Sequence, residues 1–267
     1  MIVRIKLIQW TLVVIPFLAA AQPKQFVTSA RSGDSVRQSR ASTTPVAPSA
    51  KPTDVSAVND TDATSASINT LPLFGERPKT AAQIGEEIHF LNDCDRNFAN
   101  RSEASAFFAD RGWDYVGNGQ LDTAAYRFNL AWLLDNRNAD AYWGLGVVCY
   151  QKNQLPDAIR IMKKGLAVAD SHIELMTDLA TVELKHYQEK PNADVLTDAE
   201  GHLQRAVALN PNAVYYQKLS MVYYLKTDYA KAWDYFHQAR TNDMSSIDFG
   251  YLNELLARQP DPKGIFK

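Results

Sequence analysis

From about residue 105 to residue 244 the apolar residues fall three and four positions apart, the spacing that gathers them on one side of a helix. Trp113, Tyr115, Leu121, Phe128 and Leu134 make one such block, and Leu145, Leu155, Met162 and Leu166 make the next. Small residues punctuate the blocks at a fixed interval. Gly112 recurs as Gly146, Ala124 as Ala158 and Ala131 as Gly165, each pair 34 residues apart. Self-similarity at that period indicates stacked units, none of which buries its apolar face alone. Two antiparallel helices that approach to roughly 8–10 Å need small residues where they meet. Gly112 with Ala124, and Gly146 with Ala158, are read as such meeting points.

The pattern resembles the tetratricopeptide repeat, with Trp, Leu, Gly and Tyr on a first helix and Ala, an aromatic, Ala and Pro on a second. Gly112, Tyr115, Ala124, Phe128 and Ala131 match in the first unit, where Asn136 replaces the closing proline. Tyr142, Leu145, Gly146 and Ala158 match in the second, with Cys149, Met162, Gly165 and Asp170 as departures. Leu179, Ala180, Ala199, Leu203, Ala206 and Pro211 form a stretched third unit. Tyr216, Leu219, Tyr223, Ala232, Phe236 and Ala239 form the fourth, with Ser220 in the small slot. The resemblance implies an all-α, right-handed solenoid of about four helical hairpins over residues 105–246.

Caps are expected at both ends, because an uncovered repeat face is exposed core. At the first end, residues 71–104 are expected to supply a docked extended segment at Leu71–Phe74 and a helix whose stripe is Ile84, Ile88, Leu91 and Phe98. The segment has two readings: it lies in the groove of its own chain, or it packs beside this cap. At the other end, residues 247–267 hold a final helix capped by Ser245 or Ser246 and stopped by Pro260, with Ile247, Tyr251, Leu252, Leu255 and Leu256 inward. In the third unit the excess length falls between His186 and Asp198 and is assigned to a longer turn, with Pro191 breaking one helix and a Thr197–Glu200 capping box opening the next.

Ahead of the repeats the composition changes. Arg4 and Lys6, an apolar run from Leu7 to Leu18 and then Ala19-Ala20-Ala21 have the three parts of a secretory signal over residues 1–21, with cleavage before Gln22. The apolar core is short against the roughly 20 residues of a membrane span, so no stable span is expected after cleavage. Residues 22–70 are rich in Ser, Thr, Ala, Pro and Asp and too poor in large apolar residues to offset the entropy of ordering, so a disordered leader is expected. The resemblance to bacterial envelope tetratricopeptide proteins implies an exported protein, periplasmic or secreted. Cys94 and Cys149 fall more than one unit apart and are read as free, buried thiols, since a disulfide needs Cα atoms within about 7 Å.

A net charge of −2 with no Lys/Arg cluster speaks against nucleic acid as a partner. His172-Ile173-Glu174 lacks the paired cysteines of a zinc deaminase, and His186, His202 and His237 are read as solvated. No phosphate loop, nucleophile elbow or metal spacing stands out, so no catalytic residue, cofactor or metal is assigned. The resemblance implies instead that the first helices line a concave groove for a protein or peptide partner. The residues so placed are Trp113, Trp143, Val147, Tyr150, Gln151, Thr181, Leu184, Lys185, Gln217, Met221 and Tyr224, flanked by Val116, Asp140 and Thr177. This groove reads as aromatic and mostly uncharged; a small-molecule or glycan sensor using it is the alternative.

Overall fold

The computed structural model describes residues 68–267; the expected signal and all but the last three residues of the expected leader lie outside the described residues. Among the described residues there are ten α-helices and no strand. A short turn, Pro72–Glu76, precedes α1 (Ala81–Asn97). Four hairpins follow: α2 (Arg101–Gly117) with α3 (Leu121–Leu134), α4 (Ala139–Gln151) with α5 (Leu155–Val168), α6 (Ile173–Glu189) with α7 (Ala193–Leu209), and α8 (Ala213–Leu225) with α9 (Tyr229–Asn242). Helix α10 (Phe249–Arg258) closes the array. Each hairpin packs most closely on itself, and its second helix packs on the first helix of the next hairpin. This is the expected tetratricopeptide-like solenoid with a cap at each end. No described helix is long and apolar enough to cross a membrane.

Three of the four hairpin turns are built alike. Gly119, Asn153 and Thr227 take left-handed φ values of 73°, 60° and 61°, and the following N–H groups of Gln120, Gln154 and Asp228 donate to the carbonyls of Tyr115, Cys149 and Tyr223. That bond satisfies a carbonyl the helix end would otherwise orphan. Between hairpins, Asn138, His172 and Asn212 cap the next first helix by accepting a backbone N–H.

The glycines fix how closely the hairpins approach. The Phe128 ring is wedged between α2 and α4: a Cβ on Gly112 would lie 2.6 Å from it, and one on Gly144 2.1 Å. Gly146 meets Met162 in the same way, at 2.4 Å. The small slots therefore oppose the large residue of the second helix rather than the alanine expected to face them.

Several local expectations are corrected. The surplus of the third unit lengthens both helices, to 17 residues each, and leaves the turn short. Asn192 caps α7, accepting from the Asp194 N–H, because it directly follows Pro191 and outranks a threonine a turn later. Thr197 then lies inside the helix and donates to the Ala193 carbonyl. Asp248, not Ser245 or Ser246, caps α10, accepting from the N–H groups of Gly250 and Tyr251. The α1 stripe divides: Leu91 and Phe98 pack with Phe90, Cys94, Ala104, Phe108 and Leu134, while Ile84 and Ile88 stay 46% and 54% exposed, since the first half of α1 turns Gln83 and Glu87 toward Tyr126 and Leu130 of α3 instead. Cys94 and Cys149 are free and buried.

The two ends carry docked segments. Leu71 is extended, but the chain turns left-handed over Leu73–Glu76, and the segment packs on α3 and α4 and reaches α5 through Glu76 instead of lying along the row of first helices. At the other end residues 259–267 fold back: Trp233 Nε1 donates to the Gln259 carbonyl at 3.0 Å, and Phe266 stacks on Trp233 and His237. His237 is buried against Asp261, and His202 against Glu183, so neither histidine is solvated as expected.

Candidate partner-binding face

The first helices of successive hairpins bring a row of rings together. Trp113 on α2 meets Trp143 on α4, with centroids 4.7 Å apart at 65°, and Trp143 meets His172 at the head of α6, 5.2 Å away at 66°. Position along the repeat explains the row: Trp113 follows Gly112 and Trp143 precedes Gly144, the two glycines that close on the Phe128 ring from either side, so the two indoles come together beside that ring. Trp143 is 7% exposed, closed in by its neighbours, while Trp113 is half-buried.

Charge enters this row where spacing did not mark it. Trp143 Nε1 donates to Asp178 Oδ2 at 2.8 Å. Burial pushes the Asp178 carboxyl up to about 6, against the pull of Lys218 and of the Trp143 N–H. Lys218 on α8 donates to Thr181 Oγ1, and burial draws its ammonium pKa down while Asp178 holds it up. At the head of α6, His172 Nδ1 accepts from the Leu175 N–H at 3.2 Å, and its Nε2 lies 3.5 Å from Asp140 Oδ1. Asp140 raises the His172 pKa against the effect of burial. Glu174 stands 3.5 Å from the same ring. An aromatic row flanked by Asp140, Glu174 and Asp178, with Lys218 behind it, can grip an apolar side chain and orient a polar group beside it.

All but one of the other groove residues fall into three sets. Tyr150 and Lys185 pair, the ammonium 4.9 Å from the ring centroid and donating to Asn153 Oδ1 at 3.0 Å. Val147 and Leu184 are buried at 5% and 6%, with Val116 and Thr177, so these four serve packing more than contact. Gln217, Met221 and Tyr224 are engaged by the closing cap: Gln217 Oε1 accepts from the Asp248 N–H, Tyr224 OH from Arg258 Nε, and Met221 packs on the terminal core. Gln151 is half-buried at the end of α4. The row thus spans the first three hairpins, with α8 contributing Lys218.

A second polar cluster lies between the second and third hairpins. Glu183, wholly buried on α6, faces His202 Nδ1 at 2.9 Å and Lys163 at 3.4 Å, and Lys163 also reaches Asp198. Among the described residues no three of His, Cys, Asp and Glu come together as a metal set.

Comparison with known proteins agrees with this architecture. Residues 115–179 match the sequence model of the tetratricopeptide repeat. None of the curated proteins matches the chain. Among solved structures, the RS-1 ArsTM double mutant of MamA shares 18% identity and a TM-score of 0.51, covering 60% of this chain and 86% of that one. MamA from residue 41 to its end, from Desulfovibrio magneticus RS-1, shares 17% identity and a TM-score of 0.51 over 60% of this chain and 87% of that one. A thermophilic tetratricopeptide protein of Thermus thermophilus shares 19% identity with a TM-score of 0.46, over 58% and 87%. The resemblance seen in the repeats is therefore one of fold as well as of motif.

Proposed function

We propose that this chain is a non-catalytic interaction scaffold that seats a peptide or helix of a partner protein against Trp113, Trp143 and the carboxylates beside them. The observation that carries the reading is the row itself. Rings from α2, α4 and the head of α6 form one continuous face, a surface that no single hairpin could present. Trp113, half-buried and backed by the buried Trp143 with fixed polar groups beside it, is of the residue type that anchors partners most strongly. We further propose that the protein acts outside the cytoplasm, in the periplasm or secreted, after removal of residues 1–21; the charged start, apolar run and alanines support this.

The test compares capture by the full chain with capture by Trp113→Ala and Asp178→Lys. Loss of an aromatic anchor is worth about 2 kcal/mol, or roughly thirtyfold in affinity. One polypeptide enriched by the parent and lost with both variants, whose circular dichroism is unchanged, is the expected result. Equal capture by all three chains would remove the inner face from consideration. A glycan or metabolite that raises the melting temperature while no polypeptide is captured would favour the sensor instead. N-terminal sequencing of the protein from its source should return Gln22, and Met1 would overturn the export proposal.

A further inference from the structure

The inner face is not the one place where this array reads a peptide. On the opposite side, Asn129 of α3 is wholly buried, and its carboxamide is spent on the main chain of another segment. Its Oδ1 accepts from the Leu73 N–H at 2.8 Å, and its Nδ2 donates to the carbonyls of Asn69 and Leu71, each at 2.8 Å. Bonds to backbone groups hold a peptide whatever its side chains are. Side chains are read separately. Leu73 and Phe74 are each 4% exposed, with the Phe74 ring 6.4 Å from Trp132 and under the Lys79 ammonium. Glu76 meets Arg160 and, at 2.7 Å, Lys164, both on α5, and Lys164 followed by Arg160 lowers its pKa despite burial.

The bound segment does not adopt this shape by preference. Leu73, Phe74 and Glu76 have φ of 53°, 53° and 54°, in the left-handed region where side chains with a Cβ are disfavoured, and only Gly75, at 71°, is suited to it. The site's demands dictate the turn. Two helices from different hairpins, a buried amide that bonds main chain and a pair of cations placed for one acid amount to a receptor, with a strained ligand seated in it.

We propose that the surface formed by Asn129, Trp132, Arg160 and Lys164 is a second peptide-binding site, filled in cis by Leu71–Glu76 and open to a partner's peptide of the same chemistry: apolar residues, then glycine, then an acid. The two cations give the site its sign, and the seated segment is the template for the ligand. Release of the segment frees the site, and a partner acid then replaces Glu76.

The experiment uses the full chain carrying Leu73→Asp and Glu76→Lys, which puts a charge in the buried Leu73 position and sets a cation against Arg160 and Lys164, without altering the receptor. A labelled peptide with the sequence of residues 68–79 is titrated by fluorescence anisotropy, and amide exchange reports whether residues 69–76 have come free. A cis segment competes at an effective concentration in the millimolar range. The peptide should therefore bind the variant at least tenfold more tightly than the parent, and adding Arg160→Glu with Lys164→Glu should remove at least tenfold again. Excess peptide should also raise exchange at residues 69–76 of the parent chain, which keeps the test independent of how the variants fold. Continued protection of the segment in the variant, equal affinity for parent and variant, or indifference to the charge reversal would each overturn the proposal. A concentration-dependent dimer of the parent in sedimentation, with each copy donating its segment, would overturn the assignment to a partner.

Discussion

Asp261→Asn should loosen one end of the array and leave the rest as it was. The Asp261 side chain is fully buried, and its oxygens accept from the N–H groups of Lys263 at 2.9 Å, Ile265 at 2.8 Å and Phe266 at 3.0 Å, with His237 Nε2 at 2.8 Å. Burial alone would raise the carboxyl pKa, but the Phe266 and Lys263 N–H groups, His237 and the Ile265 N–H together pull it down to about 2. Against an unfolded value near 3.9, that depression corresponds to about 2.6 kcal/mol of stability at neutral pH. Because the folded pKa is the lower one, the contribution is present above pH ~4 and is lost as the pH falls toward ~2. An asparagine keeps one acceptor and turns an NH₂ group toward N–H donors, so the loss should be of that size. Repeat arrays transmit stability mainly between neighbours, so the effect should stay in α8–α10. Native-state hydrogen exchange is the assay: amides around Trp233 and Leu255 should exchange roughly 80-fold faster at pH 7, those of α4 and α5 at the parent rate. The excess should shrink between pH 4 and pH 2. A uniform loss along the chain, or one that does not change with pH, would refute the reasoning.

Gly144→Ala should destabilise by about 1–3 kcal/mol or more, because the new Cβ would enter the Phe128 ring, whereas Gly201→Ala, with nothing within 4 Å in the exposed interior of α7, should stabilise by about 0.5–1 kcal/mol; urea midpoints decide both. Asp178 has a folded pKa raised to about 6, so its contribution is fully present below the unfolded value near 4 and falls as pH rises through ~6; Asp178→Asn should flatten that part of the stability–pH curve. Burial raises the Cys149 thiol to about 12 and pushes the Cys94 thiol up as well. Neither should react with iodoacetamide at pH 8 in the native chain, and both should react after denaturation without reductant, as mass spectrometry will show.

The repeat was legible because its constraints are local and recur. A glycine that must admit a ring or a methionine at close range cannot drift, so Gly112 and Gly146 kept their interval and disclosed the hairpins. Gly144 meets the same ring as Gly112 from the next hairpin, but it lies outside the 34-residue register and went unread. Caps were less legible. Asn192 and Thr197 both precede plausible helices, and a local motif cannot rank them without the turn geometry that Pro191 and the α6 end impose. The split of the α1 stripe follows from which face the first half of a cap helix turns to the array, here that of Gln83 and Glu87, an angle that periodicity does not encode.

The site was legible only where one helix carries it. Trp113, Trp143 and Thr181 could be placed from their register within a repeat. Asp178 and Lys218 could not, since each has a polar role only through residues on other helices: Asp178 through Trp143, 35 positions before it, and Lys218 through Thr181, 37 positions before it. Asn129 is the sharper case. Inside α3 an asparagine is a poor helix former with no evident reason to be there, and its reason appears only when a segment some 60 residues earlier lays two carbonyls and an N–H against it. A polar residue on the apolar side of a repeat helix is therefore a query about what docks there. Ser220 raises the same query at the far end, where its hydroxyl meets Tyr251 OH of the closing helix at 2.7 Å and the Ala232 carbonyl at 2.7 Å. In both places the anomaly in the repeat marks where a part of the chain outside the repeats attaches, across the first two hairpins at Asn129 and over the open end of the array at Ser220.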